Sequence, residues 1–340
     1  MATININDVV KEANTYLANN PTLISAAINR AQNVLDLHTQ PLTKIKGQFP
    51  QGHTLLSNVV QGFSSAGFNE LGAVQIETKT LKNYQQKVNF ALVPADILHS
   101  YWAELYAEDK KPADMPVSKY IIENELLPKV LDNLATLSVK GVYDAARLAE
   151  FGFSMNGIEQ ILANLLALDP AVATDHTPYR IPMNALTDSN IVDEVTKYER
   201  GLPSKTKGKI KKIFMSENNK ERYGMNYEDK FGQNKFQDDA MKTRVGKREI
   251  VGIPGMDSDL IFATTENNFK RLIDVFDNEP AITDIQIQDY KVKFFMEFWK
   301  GYDFLINQLV YVSNYSNATL GLGSTALNQK YYGEDGFTAV

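Results

Sequence analysis

From residue 4 to residue 37 the apolar positions recur at helical spacing, with Ile24, Ala27, Ile28, Ala31 and Leu35 sharing one face. Asn20-Pro21 interrupts the pattern, so the stretch predicts helix in one or two pieces. The periodicity then disappears. Residues 37–73 are rich in Gly, Pro, Ser and Asn and too long for a packed connection, which predicts a functional arm or a segment ordered by a partner. Alternation follows: apolar and polar residues trade places over Val74–Thr80 and again over Tyr84–Val93, with Leu81-Lys82-Asn83 between them. This predicts a two-stranded hairpin with one heavily polar face. Such a hairpin is marginal by itself in water, so it should lean on something else, another subunit included.

The next pattern is helical again. Asp114 and Pro116 supply a start signal, Ile121, Ile122, Leu127, Val130, Leu131, Leu134 and Leu137 form a stripe, and Pro128 should kink or divide the helix. Beyond Gly152 the texture is mixed. Helix is predicted over Ile158–Leu168, and again from a cap at Asp188 through Ile191, Val192, Val195 and Tyr198 to Gly201. Ile213-Phe214-Met215 predicts a short strand, with Ser216 capping a further helix. A strand and a Pro254-Gly255 turn are expected within Gly246–Gly255. Leu260–Ala263 reads as a buried strand leading through Thr264-Thr265 into a helix over Glu266–Phe276. Tyr290–Trp299 alternates as a strand. It opens into the aromatic-rich stretch Phe295–Val312, interrupted at Lys300-Gly301. No internal repeat is present.

Composition narrows the class. The 340 residues, 44% hydrophobic and 22% charged, suffice for a large domain or two ordinary ones. A formal charge of -6 argues against a dedicated nucleic-acid binder. The absence of cysteine excludes disulfides, thiolate metal sites and cysteine nucleophiles. Asp8, Lys11 and Glu12 stand where a signal peptide would need an apolar core. Phe304–Gln329 carries no formal charge, but Asn307, Gln308, Ser313, Asn314, Ser316 and Asn317 interrupt it, so no membrane span is expected.

Candidate chemistry is sparse. His38, His53, His99 and His176 are widely separated, in no metal-ligand spacing, and there is no GxSxG elbow. Gly321-Leu322-Gly323-Ser324-Thr325 lacks a phosphate-loop lysine and is expected to be a flexible tail. The basic run Lys205, Lys207, Lys209, Lys211 and Lys212 could meet phosphates or an acidic neighbouring subunit; a solvated loop is the favoured reading. Asp238-Asp239 and Glu108-Asp109 sit in polar contexts that do not suggest paired catalytic carboxylates. No catalytic residue, metal site or cofactor is expected.

Three segments together resemble a known family. VPADILHSYWAELYAEDKKPADMPVSKYIIENELLPKV (93–130) resembles the passage from extended hairpin to long spine helix in tailed-phage major capsid proteins of the Hong Kong 97 type. KKIFMSENNKERYGMNYEDKFGQN (211–234) is similar to the strand and helix of their axial domain. GIPGMDSDLIFATTENNFKRLIDV (252–275) and IQIQDYKVKFFMEFWKGYDFLINQLVYVSN (285–314) resemble the end of that domain and the return into the peripheral domain. The resemblance implies an α+β fold. It would comprise an N-terminal arm (1–71), an extended hairpin or E-loop (72–93), a peripheral domain with the spine helix (94–150 and 280–314), an axial domain (151–279) and a C-terminal tail (315–340).

The function implied is self-assembly, as hexamers and pentamers, into the icosahedral shell of a tailed double-stranded DNA phage. Lys79, Lys82, Tyr84 and Lys87 would be subunit contacts. Scaffold, portal and decoration proteins are further candidate partners, DNA would be enclosed without sequence-specific binding, and the shell would assemble in the host bacterial cytoplasm. Removing Val74–Phe90 is expected to leave a folded subunit that forms no shells. The alternatives are an encapsulin-like nanocompartment shell and an α/β enzyme with its site in 150–280.

Overall fold

The computed structural model describes residues 6–333 apart from 30–32, 57–58, 64, 66, 68–69, 71, 73, 94–95, 97–99, 102–115, 173–175, 233–240, 245, 275–279 and 316–319. Asp114, His99, Glu108-Asp109 and Asp238-Asp239 lie outside the described residues. The chain divides into two units. One comprises residues 1–47, 83–155 and 271–301, the other residues 48–82, 156–270 and 302–340.

In the first unit the N-terminal periodicity becomes α1 (Ile6–Asn19), α2 (Leu23–Asn29) and α3 (Val34–His38), with the break at Asn20-Pro21 as expected. The spine, α4, runs from Val117 to Lys140 in three pieces: α-helix Val117–Tyr120, a π turn Ile121–Leu126, and α-helix Leu127–Lys140. Leu127 N–H reaches back to Ile122 O, five residues earlier. The widened turn sits immediately before Pro128. There it accommodates a residue that has no N–H to donate and whose ring would crowd the carbonyl four residues back.

These helices cover a sheet ordered β1 (Gln40–Leu42), β9 (Phe269–Ile273), β11 (Lys291–Phe304), β10 (Ala281–Gln288), with β4 (Tyr84–Leu92) also paired to β11. Every second residue of β11 is buried, and Val292, Phe294, Met296 and Phe298 pack with Val9, Ile24, Ile28, Ile122, Val130 and Leu134. Each such side chain contributes about 1.5–3 kcal/mol by leaving water. β10 and β11 are joined by Asp289-Tyr290, both left-handed (φ 52 and 61), the pairing a tight two-residue hairpin turn requires. β11 does not break at Lys300-Gly301. Lys300 is buried, its Nζ 3.2 Å from Asp36 Oδ2, and Asp36 also faces Arg271 at 3.3 Å, so the buried ammonium has a carboxylate partner inside the strand's environment.

The second unit holds a sheet ordered β5 (Tyr179–Pro182), β12 (Val310–Asn314), β8 (Phe262–Thr264), β6 (Lys212–Ser216), β7 (Glu249–Ile253), parallel at β5–β12 and β6–β7. With it go α5 (Ile158–Ala167), α6 (Ile191–Gly201), α7 (Ser204–Lys207), α8 (Glu217–Phe231) and α9 (Thr325–Tyr332). Their shared core includes Tyr198, Ile213, Tyr223, Ile261, Tyr311 and Leu322. Ser216 caps α8 as expected, accepting from Asn219 N–H.

Four expectations are corrected. Asp188 does not cap α6; it pairs with Arg222 at 2.6 Å, and Asn190 precedes the helix. Glu266 to Ile273 is not helical. Asn267 turns the chain at φ 69, the Asn268 amide bonds Thr264 and Ile306, and β9 follows. Residues 321–325 are not a tail, because Gly321 and Arg180 exchange two 2.9 Å backbone bonds and α9 opens at Thr325. Gly321 (φ 109) is required there, since a Cβ would lie 2.6 Å from the Asn328 amide.

The fourth correction concerns the hairpin. β3 (Val74–Lys82) does not pair with β4; it pairs over nine residues with β2 (Gln48–Leu56), hidden in the Gly/Pro-rich segment, while β4 joins β11. Asn83 explains the parting of β3 and β4. It is buried, its N–H bonds Gly47 O at 2.7 Å and its amide bonds Ile45 O at 2.6 Å, so the expected turn residue is a fixed root.

Candidate functional site

The β2–β3 ribbon has two faces of opposite character. Strand alternation puts Gln51, His53 and Leu55 of β2 beside Lys79, Glu77 and Gln75 of β3 on the inner face. Pro50, Gly52, Thr54 and Leu56 lie beside Thr80, Thr78, Ile76 and Val74 on the outer face. The inner face carries Lys79 and Glu77 and is fastened to the rest of the second unit. The outer face, from Pro50 outward, carries no charge, yet Leu56, Val74 and Ile76 are 66%, 63% and 72% exposed. Beyond the paired strands, Val60 and Phe63 are almost fully exposed. A sheet face that turns its charges inward and its β-branched residues outward is the reverse of a solvated surface.

The fastening is specific. Lys79 Nζ is largely shielded from water and donates to Asp303 Oδ1, to Phe304 O at 2.6 Å and to Asn307 Oδ1 at 2.7 Å. Glu77 accepts from Lys330 of α9 at 2.5 Å, a hydrogen bond that holds its carboxyl below the usual range. His53 Nε2 lies 3.0 Å from Tyr331 Oη, and burial pushes both groups toward their neutral forms. His176 Nε2–H donates to Thr78 O at 2.9 Å, and its Nδ1 accepts from the Gln308 amide at 3.1 Å. The apolar anchors on this side are Leu81, fully buried, and Leu55, which packs on the second unit's core.

The expected contact residues do not converge. Lys79 is committed within its own chain, and Lys82 is exposed at the ribbon root opposite Gln48. Tyr84 is buried in β4 with its ring 4.7 Å from that of Tyr143, and Lys87 is exposed on β4 opposite Glu297. Of the outer-face positions the sequence singled out Lys82 alone, at the root; for the rest, the alternation of β3 with Pro50 and Gly52 across from it was the available signal.

A second apolar surface belongs to the first unit. After α4 the chain turns through residues 141–153, tied by Val142 N–H to Gly152 O (2.9 Å) and Asp144 N–H to Phe153 O (3.1 Å). Arg147 pairs with Glu150 at 2.5 Å and stacks 3.6 Å over the Phe153 ring. This bracing leaves Leu148 and Phe151 about half exposed on an ordered loop.

The basic run forms α7 and the approach to β6. Lys211 and Lys212 pair with Glu266 and Glu249 at 2.7 and 3.6 Å, exposed contacts worth little energetically. Among the described residues no group of three or more His, Asp or Glu could hold a metal ion, and no helix is long and apolar enough to cross a membrane.

No protein-family model matches the sequence, and no curated protein does. Solved structures are similar in fold. A chain of the satellite phage P4 procapsid, which includes the size determination (Sid) protein, is 12% identical with a TM-score of 0.50 over 87% of this chain and 99% of its own. A chain of the capsid of an empty GTA particle is 11% identical, TM-score 0.53, over 85% and 98%. One of Gordonia phage Cozz is 8% identical, TM-score 0.52, over 83% and 86%. The chain therefore has the α+β, Hong Kong 97-like fold of phage capsid subunits across most of its length.

Proposed function

We infer that this chain is the major capsid protein of a tailed double-stranded DNA phage, assembling with copies of itself into a closed icosahedral shell. The observation that carries the reading is the outer face of the β2–β3 ribbon, free of charge from Pro50 outward and exposed on a chain with the fold of capsid subunits. The 141–153 loop supports it. Head-to-tail association into rings needs two different patches on each subunit, and the ribbon face and the Leu148/Phe151 loop are two such patches. Burying apolar area of this kind at every contact of a repeated array adds small energies into a stable shell.

On this reading the ribbon (48–82) is the E-loop, the first unit is the peripheral domain with α4 as its spine, and the rest of the second unit is the axial domain. Residues 320–332, with α9, belong to the axial domain and not to a separate tail. The subunits form hexamers and pentamers, with scaffold, portal and decoration proteins as further partners, and assemble in the host cytoplasm. The role is mechanical and not enzymatic. A net charge of -6 suits a wall that confines DNA without gripping its phosphates.

Size-exclusion chromatography with light scattering on the purified chain tests this. Hexamers, pentamers or closed particles support it. A species that stays at the 38.2 kDa of a single chain at all concentrations and under crowding contradicts it.

A further inference from the structure

The inner face of the ribbon holds a cluster that the shell reading does not use. His53 from β2, Glu77 from β3, His176 from the segment before β5, and Lys330 and Tyr331 from α9 come together there. Their positions in the chain span 278 residues between His53 and Tyr331. Within the cluster Glu77 and Lys330 cancel, and burial holds the His53 imidazole toward its neutral form. The next pair along β3, Lys79 with Asp303, is balanced too.

Acid upsets this balance unevenly. His176 has an outlet. Its Nδ1 faces the Gln308 amide, and rotating that amide would present Oε1, which is buried without a partner among the described residues, to a new N–H. His53 has none. Its Nδ1 is buried with no hydrogen-bond partner among the described residues, while Nε2 is engaged with Tyr331. The imidazolium would carry a buried N–H with no partner among the described residues and would face Lys330 and His176, with Glu77 the one carboxylate among the described residues of the cluster and already paired.

We propose that His53 is the proton-sensitive catch of a latch that holds the β2–β3 ribbon on its own subunit, opening on acidification so that the ribbon's outer face can swing to a second copy of the chain. The swing to a second copy rests on the shell reading; the latch itself does not. Burial holds His53 neutral in the closed state, whereas in the open state it takes up a proton near the ordinary histidine value of 6.5. The open state thus binds more protons, so the closed latch is fully stable above that value and weakens as pH falls through and below it.

Hydrogen–deuterium exchange of the full chain at pH 7.5 and pH 5.0, corrected for intrinsic exchange rates, reads the latch without requiring shells. The expected result is loss of protection in 48–56 and 74–82 at pH 5.0, with β6 and β7 amides unchanged. His53→Gln should keep the ribbon's protection the same at both pH values, and His176→Gln should reduce the loss. Ribbon protection unchanged by pH in the native chain would overturn the proposal. So would a loss shared equally by β6 and β7, which marks general acid loosening, or a loss undiminished in both variants. If the latch responds as expected but no shells form under any condition, the shell reading fails while the latch stands.

Discussion

Replacing Lys79 with Met removes one charge and keeps the length of the side chain, so it isolates the polar anchor of the ribbon. In the native chain the ammonium satisfies three acceptors, Asp303 Oδ1, Phe304 O and Asn307 Oδ1, from a position largely shielded from water. A hydrogen bond to a charged group contributes about 1.5–3 kcal/mol net, and a carboxylate left without its cation adds to the loss. Residual solvent contact and the Phe304 N–H, which still donates to Asp303 at 2.8 Å, offset part of it. The expected weakening is about 2–3 kcal/mol of ribbon docking, or about 30- to 150-fold at roughly 1.4 kcal/mol per tenfold.

A two-stranded ribbon is marginal alone, so this change should appear as local opening. Hydrogen exchange at pH 7.5 should therefore accelerate by that factor in 48–56 and 74–82 and not in β6 or β7. Adding Asp303→Asn, which removes the stranded carboxylate, should recover part of the protection. Acceleration below about threefold would show that the remaining fastenings, Leu55, Leu81, Glu77–Lys330 and the two histidine contacts, hold the ribbon without Lys79, and would refute the magnitude assigned to it.

Other outcomes follow from the same geometry. Ile76→Asp puts a charge on the outer face where the side chain is mostly exposed, so the subunit should melt within about 0.5 kcal/mol of the native one yet form no closed particles by electron microscopy. Arg248→Met strands the buried Glu199 carboxylate, to which Arg248 and Thr243 both donate, and should cost about 3–5 kcal/mol in denaturant unfolding. Leu134→Ala, beneath the first sheet, should cost about 2–5 kcal/mol by the same measurement. Because the chain has no cysteine, Ile76→Cys and Phe151→Cys subunits can be mixed; oxidation should give crosslinked dimers if ribbon and loop meet between copies, and none if they do not.

Local patterns were legible in the sequence wherever one face of an element is buried along its whole length. The α4 stripe, the Ser216 cap, the Asn20-Pro21 break and the alternation of β11 all report nearby physics. Strand partners were not legible. β3 alternates equally well for any neighbour, and β2 was masked by Pro50 and Gly52, which read as loop residues but tolerate a ribbon open to solvent on one face. The Glu266–Phe276 stretch has an apolar spacing that fits helix or strand, and the left-handed Asn267 together with the Asn268 side chain decides for strand. The consequence is practical. Deleting Val74–Phe90 would remove most of β4, whose Val88 and Phe90 pack on the first unit's core, so it would unfold the subunit and not merely disarm it.

The proposed contact surface was the least legible part. Lysines in the apparent hairpin drew attention because charge is conspicuous, whereas the outer face is defined by the lack of charge on alternate residues of two strands whose pairing could not be read. The latch residues are legible only in three dimensions, since positions 53, 77, 176 and 330 share no spacing.

The most direct test is a cryo-electron microscopy reconstruction of particles assembled from the purified chain. The expected result is a closed icosahedral shell in which Leu56, Val74 and Ile76 of each ribbon are buried against another subunit. Particles in which that face stays open to solvent, or a chain that forms no particles at all, would contradict it.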